Sequence, residues 1–319
     1  MLAAVTPAAI LSLFISSPTL TKQPPARKIE LIYVLISEDQ IMSEKTEVIV
    51  GLAQMPTVDD LRQNLDTAAV YVKEAAAKGA DIVCLPEMFA CPYQNEAFVR
   101  YREPAGGTTW QALSGMAKEN HVILVGGSFP EEEDGLIYNT CFVFDKNGTQ
   151  IARHRKMHLF DIDVKGGQRF KESDTFTAGS EVTVFDTEFG RFGVQICFDI
   201  RFPELGRLLS QNGAKGVFIP AAFNMTTGPA HWELNFRARA LDNQAFYFGC
   251  SPARDVTAGY VAYGHSIAVD PWGTVTAQLE EKAGILITSA KLSRVDSIRA
   301  QLPLLSARRT DLYRLEELK

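Results

Sequence analysis

Short apolar runs rich in β-branched residues alternate with amphipathic stretches along most of this chain, and that alternation constrains its fold more than any other feature. Residues 48–53 form such a run and predict a buried strand, whereas residues 59–79 space their apolar side chains along one helical face. The same patterns predict strands at residues 81–85, 122–125, 191–196, 216–219, 245–250, 265–269 and 285–288, and helices at 109–120, 203–212 and 231–244. Such alternation indicates an α/β fold with two sheets and outer helices.

A hairpin interrupts the alternation between residues 138 and 155. Two strand-like runs, at 138–145 and 149–155, are joined by Lys146, Asn147 and Gly148, and the glycine supplies the positive φ that a tight turn needs. No low-complexity linker or internal repeat is visible, and 319 residues, 46% of them hydrophobic, suffice for a large core. We therefore expect one domain over residues 45–319.

Residues 1–44 are left out of that domain. No charged side chain occurs before Lys22, and the apolar run at residues 8–15 is too short to span a bilayer. An acid-poor leader containing Ser and Thr is typical of a transit peptide to a mitochondrion or another organelle, although its arginine content is low. The alternative is that translation begins near Met42 and that the upstream residues are disordered, which favours the cytoplasm.

Net charge and cysteine content exclude several classes of partner. The formal net charge is −6 and the pI is near 5.5, so the basic face that binds a phosphate backbone is not expected. Five cysteines without paired spacing argue against disulfides and for a reducing compartment. His154 and His158 lie four residues apart but lack an obvious third metal ligand nearby. We expect no metal, cofactor, nucleic acid or membrane partner.

Three predicted strand ends each place a reactive side chain directly after an apolar run: Glu87, Lys156 and Cys197. In α/β sheets such ends converge on one crevice. There the glutamate could act as general base toward the thiol, and the lysine could favour the thiolate and later stabilise an oxyanion. The backbone N–H of Phe198 could be a second oxyanion donor. Together these groups predict attack on an amide carbonyl, loss of ammonia and hydrolysis of a thioester.

Each of these three residues also has a purely structural interpretation. A cysteine after an apolar strand is most often an inert core residue, because buried cysteine behaves as a small hydrophobe. Glu87 could cap a helix or lie at the surface, and Lys156 could be a solvated strand end. Spacing alone does not decide between these interpretations.

Three segments resemble the signature segments of the nitrilase superfamily, in that family's order: LPEMF (residues 85–89), HRKMHLFDID (154–163) and ICFDIRFPEL (196–205). The resemblance runs from about Val48 to the C-terminus. It implies a Glu-Lys-Cys triad formed by Glu87, Lys156 and Cys197, a four-layer αββα sandwich of two mixed sheets flanked by helices, and a homodimer. The segment RFKES (169–173) matches the family's second glutamate, which implies a supporting role for Glu172.

Within that superfamily the chain is most similar to the omega-amidase branch, through AFNMTTGPAHWE (222–233), DNQ (242–244) and SPARD (251–255). The branch hydrolyses the distal amide of 2-oxoglutaramate and 2-oxosuccinamate. The alternative is its sister, deaminated-glutathione amidase, which is expected to have Ser-Phe where this chain has Ala222 and Phe223. A nitrilase or a catalytically inactive binding protein is disfavoured by the loop segments and by the intact triad.

A substrate that carries a carboxylate needs a cation in its site. The resemblance assigns Arg201 and Thr227 to the keto-acid end, and an arginine fork suits bidentate carboxylate binding. An ion pair of Arg201 with Glu204 or Asp199 is the structural alternative. The chain departs from its relatives at Phe198, where Tyr is common, and at residues 165–167, where a Pro-Gly is usual.

Overall fold

The computed structural model describes residues 47–166 and 169–318, and two β-sheets form the centre of this part of the chain. Its strands are, in chain order, β1 (Glu47–Gln54), β2 (Ile82–Cys84), β3 (Ile123–Val125), β4 (Phe129–Glu133), β5 (Leu136–Phe144), β6 (Gln150–Arg155), β7 (Asp161–Asp163), β8 (Arg169–Lys171), β9 (Val184–Thr187), β10 (Gly190–Val194), β11 (Gly216–Pro220), β12 (Phe246–Cys250), β13 (Ile267–Val269), β14 (Val275–Gln278) and β15 (Gly284–Lys291). Its α-helices are α1 (Leu61–Ala77), α2 (Asn95–Arg100), α3 (Thr108–Asn120), α4 (Pro203–Gln211), α5 (Gly228–Asn243) and α6 (Ser293–Gln301). The proposed extension at residues 1–44 lies outside the described residues.

Both large sheets are mixed. The first has the order β15-β1-β2-β3-β5-β4, and its strands β1, β2 and β3 are parallel. Its seventh strand, β6, also pairs with β5. The second has the order β14-β13-β12-β11-β10-β9, with β10, β11 and β12 parallel. Strands β7 and β8 pair separately. Each sheet therefore has a parallel centre whose strands end at a common edge.

Apolar side chains from both sheets share one core, which includes Val50 and Ile82 of the first sheet and Val194 and Ile219 of the second. Helices α1 and α3 cover the other face of the first sheet through a second apolar cluster. Helices α4 and α5 pack on the second sheet, where residues such as Trp232 join the shared core. The layers therefore follow the order αββα, as the resemblance implies.

Local chemistry explains where several elements begin and end. Asp60 caps α1 by accepting a hydrogen bond of 3.0 Å from the backbone N–H of Gln63. Gly148 has φ of +79° in the β5–β6 turn, as predicted. Helix α5 begins at Gly228 instead of residue 231, because Pro229 fits the first helical turn, where no backbone donor is needed.

Elements that the sequence pattern missed are short or polar. Strand β4 contains Pro130 and three glutamates, and it forms only because it pairs with β5 and buries Glu131 against arginines of β6. Helix α6 buries only Val295 and Ile298. No helix among the described residues has the length and apolar character that a bilayer crossing requires.

Candidate active site

The three reactive side chains predicted from the sequence lie together at the edge where the strands of both sheets end. Glu87 follows β2, Lys156 follows β6, and Cys197 lies three residues beyond β10. The Lys156 Nζ lies 2.8 Å from Glu87 Oε1, and the Cys197 thiol lies near enough to both groups for their charges to shift its pKa. Glu87 and Lys156 are fully buried and Cys197 is 4% exposed. A carboxylate, an ammonium and a thiol thus share one site with little solvent.

A second carboxylate holds the lysine from its other side. Glu172, fully buried in the 3₁₀ turn after β8, lies 2.9 Å from Lys156 Nζ. It accepts further hydrogen bonds from the Tyr93 hydroxyl at 2.6 Å and from the Phe160 backbone N–H at 2.6 Å. Glu87 likewise accepts one from Asn139 Nδ2 at 2.9 Å. Lys156 is therefore locked between two carboxylates.

The charges in this cluster determine which groups are ionised at rest. Burial and the Glu87 carboxylate raise the pKa of Cys197 well above its ordinary value, although Lys156 opposes this. Burial also raises the pKa of Glu87, against the opposing charge of Lys156. Burial alone would lower the pKa of Lys156, but the charges of Glu172 and Glu87 outweigh burial and raise that pKa above its ordinary value. A thiol with a raised pKa is protonated at rest, and the Glu87 carboxylate is placed to take its proton.

The backbone at the nucleophile is strained. Cys197 has φ of +46° at the start of the 3₁₀ turn Cys197–Arg201, and Met88, directly after Glu87, has φ of +51°. The first N–H groups of a helical turn, here including that of Phe198, have no partner within the turn. The Ala222 N–H donates to Glu87 Oε2 at 2.9 Å and, from there, lowers the pKa of the Cys197 thiol. The strained turn therefore presents the sulfur among backbone donors suited to an oxyanion.

Asp199, two residues after the nucleophile, ties the cysteine turn to the lysine segment. Its fully buried carboxylate lies 3.0 Å from His154 Nε2 and 2.8 Å from His158 Nδ1, and it accepts 3.0 Å hydrogen bonds from the backbone N–H groups of His158 and Ile196. The two histidines flank Lys156 in sequence. One carboxylate thus determines the separation between the lysine and the cysteine.

Replacing Asp199 by asparagine is expected to destabilise the fold by about 2–4 kcal/mol near neutral pH, because a buried, fully hydrogen-bonded carboxylate is lost. Burial would raise the pKa of Asp199, but hydrogen bonds from His154 and His158 hold it well below its ordinary value. The contribution of the Asp199 carboxylate to folding stability is thus complete above the unfolded-state pKa of about 3.9 and is lost as the pH falls below that value. Urea unfolding at several pH values should show the gap between the proteins closing under acid conditions.

Asp186→Asn is the matched control, since Asp186 pairs with Arg191 at the surface with its side chain 71% exposed. It should change stability little at any pH. A gap between the Asp199 variant and wild type that stays constant into acid would contradict this account.

Arg201, assigned by resemblance to the substrate carboxylate, lies beside the site without a carboxylate of its own. Among the described residues no acid forms an ion pair with it, which removes the predicted alternative of a pair with Glu204 or Asp199. Its Nη1 lies 3.1 Å from His231 Nδ1, its guanidinium lies over the Phe223 ring, and its buried Nε has no hydrogen-bond partner. Burial lowers its pKa, and the charge of Cys197 acts in the opposite direction.

The other residues assigned by resemblance have more ordinary surroundings. Thr227 precedes α5, and its hydroxyl donates to Asn224 Oδ1 at 3.2 Å. The Phe198 ring packs edge-on against Phe160 and Phe202. The structure therefore brings Lys156 into direct contact with Glu87 and Glu172, with Cys197 buried next to them and Arg201 beside the cluster.

Two cavities border this cluster. One of about 380 Å³, which we call the Glu87 cavity, is lined by residues of several loops, namely Thr57, Val58, Asp59, Glu87, Met88, Cys91, Pro92, Tyr93, Gln94, Ala222, Pro252, Ala253, Asp255, Thr257, Ala258, Gly259, Tyr260 and Ala262. The other cavity, of about 590 Å³, lies beside Asn224 and is also lined by Tyr93 and Tyr260. The Tyr260 ring stacks on Tyr93 at 4.4 Å, and its hydroxyl donates to the Ala222 carbonyl. Tyr260 thus stands between the two cavities.

Sequence reasoning missed Tyr93, Asn139, Asp199 and Tyr260. Asn139 had a usable signal, because it is a polar residue inside the apolar run of β5. Asp199 had one too, because it lies within the cysteine segment. Tyr93 and Tyr260 lie in loops, where the sequence does not indicate which side chains turn inward.

Comparison with known proteins reveals close relatives. Residues 49–300 match the family model described as carbon-nitrogen hydrolase. An omega-amidase of Xenopus tropicalis is 50% identical over 257 residues, which are 81% of this chain and 93% of that protein. An omega-amidase of Homo sapiens is 46% identical over 266 residues, 83% of this chain and 96% of that protein. The crystal structure of a nitrilase-superfamily member from Saccharomyces cerevisiae aligns with a TM-score of 0.76 at 39% identity and covers 82% of this chain and 97% of that one.

Proposed function

Because this chain belongs to the carbon-nitrogen hydrolase family, we propose that it is an omega-amidase, which converts the distal amide of 2-oxoglutaramate or 2-oxosuccinamate to the 2-oxo acid and ammonia. The two omega-amidases with 50% and 46% identity over most of the chain support the reaction. The observation that carries the proposal in the structure is Arg201, a half-buried cation beside the nucleophile that has no carboxylate partner among the described residues. A small anionic amide would supply that partner.

In the first half of the proposed reaction, Glu87 takes the thiol proton of Cys197 while the sulfur attacks the amide carbonyl carbon. The oxygen that becomes negative is stabilised by Lys156 Nζ and by the backbone N–H of Phe198. Glu87 then gives its proton to the nitrogen, the C–N bond breaks and ammonia leaves. The product is a thioester on Cys197.

The second half releases the acid. Glu87 takes a proton from water, whose oxygen attacks the thioester carbonyl, and the C–S bond breaks as the proton returns to sulfur. Glu172 and Tyr93 do not take part in this transfer. They orient Lys156, because Glu172 holds it at 2.9 Å and is itself held by Tyr93 at 2.6 Å.

Ammonia release from 2-oxoglutaramate, glutamine, deaminated glutathione and a simple nitrile tests the proposal. We expect the highest kcat/KM with 2-oxoglutaramate. Preference for deaminated glutathione would assign the chain to the sister activity, and turnover of the nitrile alone would make it a nitrilase. A folded protein inactive on all four would indicate a binding protein and would reject the proposal.

Replacing Arg201 by lysine is expected to lower kcat/KM for 2-oxoglutaramate roughly tenfold to a hundredfold, because a point cation loses the two-pronged hydrogen bonding of guanidinium. An amide without the carboxylate should be equally poor for wild type, and the variant should lose almost nothing further on it. That pattern follows from coupling between one side chain and one substrate group. Arg191→Lys, at the surface in an ion pair with Asp186, is the matched control. Equal losses on both substrates would give Arg201 a structural role.

We also propose that two copies pair through α5. Its outer face carries Leu234, 66% exposed, and Leu241, 43% exposed. Trp272, 54% exposed, belongs to a turn that contacts this helix, since Arg237 Nε donates to the Gly273 carbonyl at 2.9 Å. Exposed apolar side chains grouped in this way are typical of a protein interface. Sedimentation at micromolar concentration should give a dimer, and a monomer would contradict the proposal.

A further inference from the structure

The Glu87 cavity is much larger than ammonia requires. Its volume is about 380 Å³, whereas a molecule the size of water occupies roughly 30 Å³ in the liquid. The cavity extends from the fully buried Glu87 and Ala222 to Asp255 and Thr257, which are exposed. It therefore connects the general base to the surface through space that the departing ammonia does not fill.

The position of the cavity relates it to the leaving group. The proton that the departing nitrogen needs comes from Glu87, so the nitrogen must lie on the Glu87 side of the carbonyl carbon. Arg201, proposed for the carboxylate end, is not among the residues that line this cavity. A substituent on the amide nitrogen would consequently extend into the Glu87 cavity, away from Arg201.

The wall of the cavity is acidic. Among the described residues that line it, Glu87, Asp59 and Asp255 carry carboxyl groups and no residue is Lys or Arg. Hydrogen bonds from Tyr101 and Arg100 keep the pKa of Asp59 below its ordinary value, and hydrogen bonds from Thr257 do the same for Asp255. Both are ionised near neutral pH. Lys156 balances Glu87 and Arg100 balances Asp59, whereas the described residues provide no cation partner for Asp255.

Aromatic side chains complete the wall. Tyr93 and Tyr260 line the cavity as a stacked pair, and burial keeps the pKa of both phenols well above its ordinary value. Neutral phenol rings next to carboxylates favour an apolar or positively charged group over an anion.

We propose that the Glu87 cavity holds a neutral or cationic substituent on the amide nitrogen, so that the enzyme also cleaves N-substituted amides of its acids and releases an amine in place of ammonia. This inference rests on the proposed function. The bonds change as before: the carbonyl carbon forms its bond to Cys197 sulfur, the C–N bond breaks, and the proton held by Glu87 passes to the amine nitrogen. The wall disfavours a leaving group that carries a carboxylate, such as a peptide C-terminus.

Four amides of the distal carboxyl of 2-oxoglutaric acid test the inference: the primary amide and its N-(3,3-dimethylbutyl), N-(2-trimethylammonioethyl) and N-carboxymethyl derivatives. The first two substituents have the same shape and differ by one charge. We expect kcat/KM for the cationic amide to equal or exceed that for its neutral isostere, and that for the carboxymethyl amide to be lower by roughly tenfold or more. Release of the amine is measured by mass spectrometry.

Variants of the cavity wall locate the effect. Ala253→Phe should lower the ratio of kcat/KM for the N-substituted amides to that for the primary amide about tenfold, because overfilling a packed space is costly. Ala258→Trp, at an exposed position on the same wall, should act in the same direction if the first variant folds poorly. Asp255→Asn should reduce the preference for the cation over the carboxymethyl group.

The outcomes separate the two proposals. Turnover of the primary amide without measurable turnover of the neutral and cationic derivatives overturns this inference and leaves the proposed function intact. A preference for the carboxymethyl amide also overturns it. Failure of a folded protein on all four amides overturns the proposed function itself.

Discussion

Cys197→Ala is expected to lower kcat/KM for the best amide substrate by about 10⁴-fold or more, because the thioester can no longer form. Glu87→Gln removes the general base and should cost roughly 10²- to 10⁴-fold. The double variant should be no worse than Cys197→Ala alone, since residues that act as a unit give non-additive losses. Ammonia release gives the rates, and the intact mass of acid-quenched wild type should show an acyl adduct that Cys197→Ala lacks.

Cys141→Ala is the matched control for the nucleophile. Cys141 is also fully buried, with the pKa of its thiol raised by burial, but it lies on β5 in the core between the sheets. The substitution should cost roughly 1 kcal/mol of stability and leave kcat/KM nearly unchanged. If Cys197→Ala retained a tenth of wild-type activity, the assignment of the nucleophile would be wrong.

The helices and strands could be predicted wherever burial determines the spacing of apolar residues in the sequence. Strand β1 and helix α1 lie within one or two residues of their predicted bounds, because each buries one continuous apolar surface. The αββα order and the enzyme class came from the resemblance, and the layered structure and the family match confirm them. Strand β4 was missed because its glutamates are tolerated only where arginines pair with them: Arg153 and Arg155 contact Glu131 and Glu133, and Arg102 contacts Glu132. Those contacts depend on tertiary structure and leave no local signal.

The residues of the candidate site could be predicted where a reactive side chain directly follows a predicted strand. Glu87, Lys156 and Cys197 each follow a predicted strand, and the structure brings all three to one buried site, with Lys156 in contact with Glu87. Asp199 and Tyr93 were missed for a physical reason: each acts through partners distant in sequence, Asp199 through His154 and Tyr93 through Glu172. A single sequence reports which residues are reactive more readily than which residues hold them in place.

Ionisation of the cysteine differs from the simplest expectation. From the sequence alone, the lysine charge is expected to favour the thiolate. In the structure, Glu87 and Glu172 both contact Lys156, so the cation is already balanced. Burial and the Glu87 carboxylate raise the pKa of Cys197, and the lysine does not overcome them. The lysine is therefore better suited to an oxyanion that forms later than to a resting thiolate.

Lys156→Met is expected to destabilise the fold by about 3–5 kcal/mol near neutral pH, because it leaves two buried carboxylates facing each other without a cation. Glu87 and Glu172 have no exposed surface, and Lys156 contacts both at 2.8 and 2.9 Å. Methionine fills a similar volume, so the loss reports charge more than packing. Urea unfolding followed by circular dichroism measures it. Lys215→Met removes a partly exposed lysine that pairs with Asp296 at 3.0 Å, and it should cost less than about 1 kcal/mol.

The pH dependence distinguishes charge from shape in that variant. Burial already raises the pKa of Glu87 in the wild type, and Lys156 is the main group that opposes the rise. Without the lysine, the folded-state pKa of at least one of the two glutamates must rise further above the unfolded value of about 4.3. A carboxyl group whose pKa is raised by folding binds its proton more tightly in the native state, so it destabilises the fold increasingly as the pH rises above the unfolded pKa. The stability gap between wild type and Lys156→Met should therefore widen from about pH 5 to pH 8. A gap that is the same at both pH values would mean that the lysine contributes through its packing, and that the carboxylates are neutralised by another group.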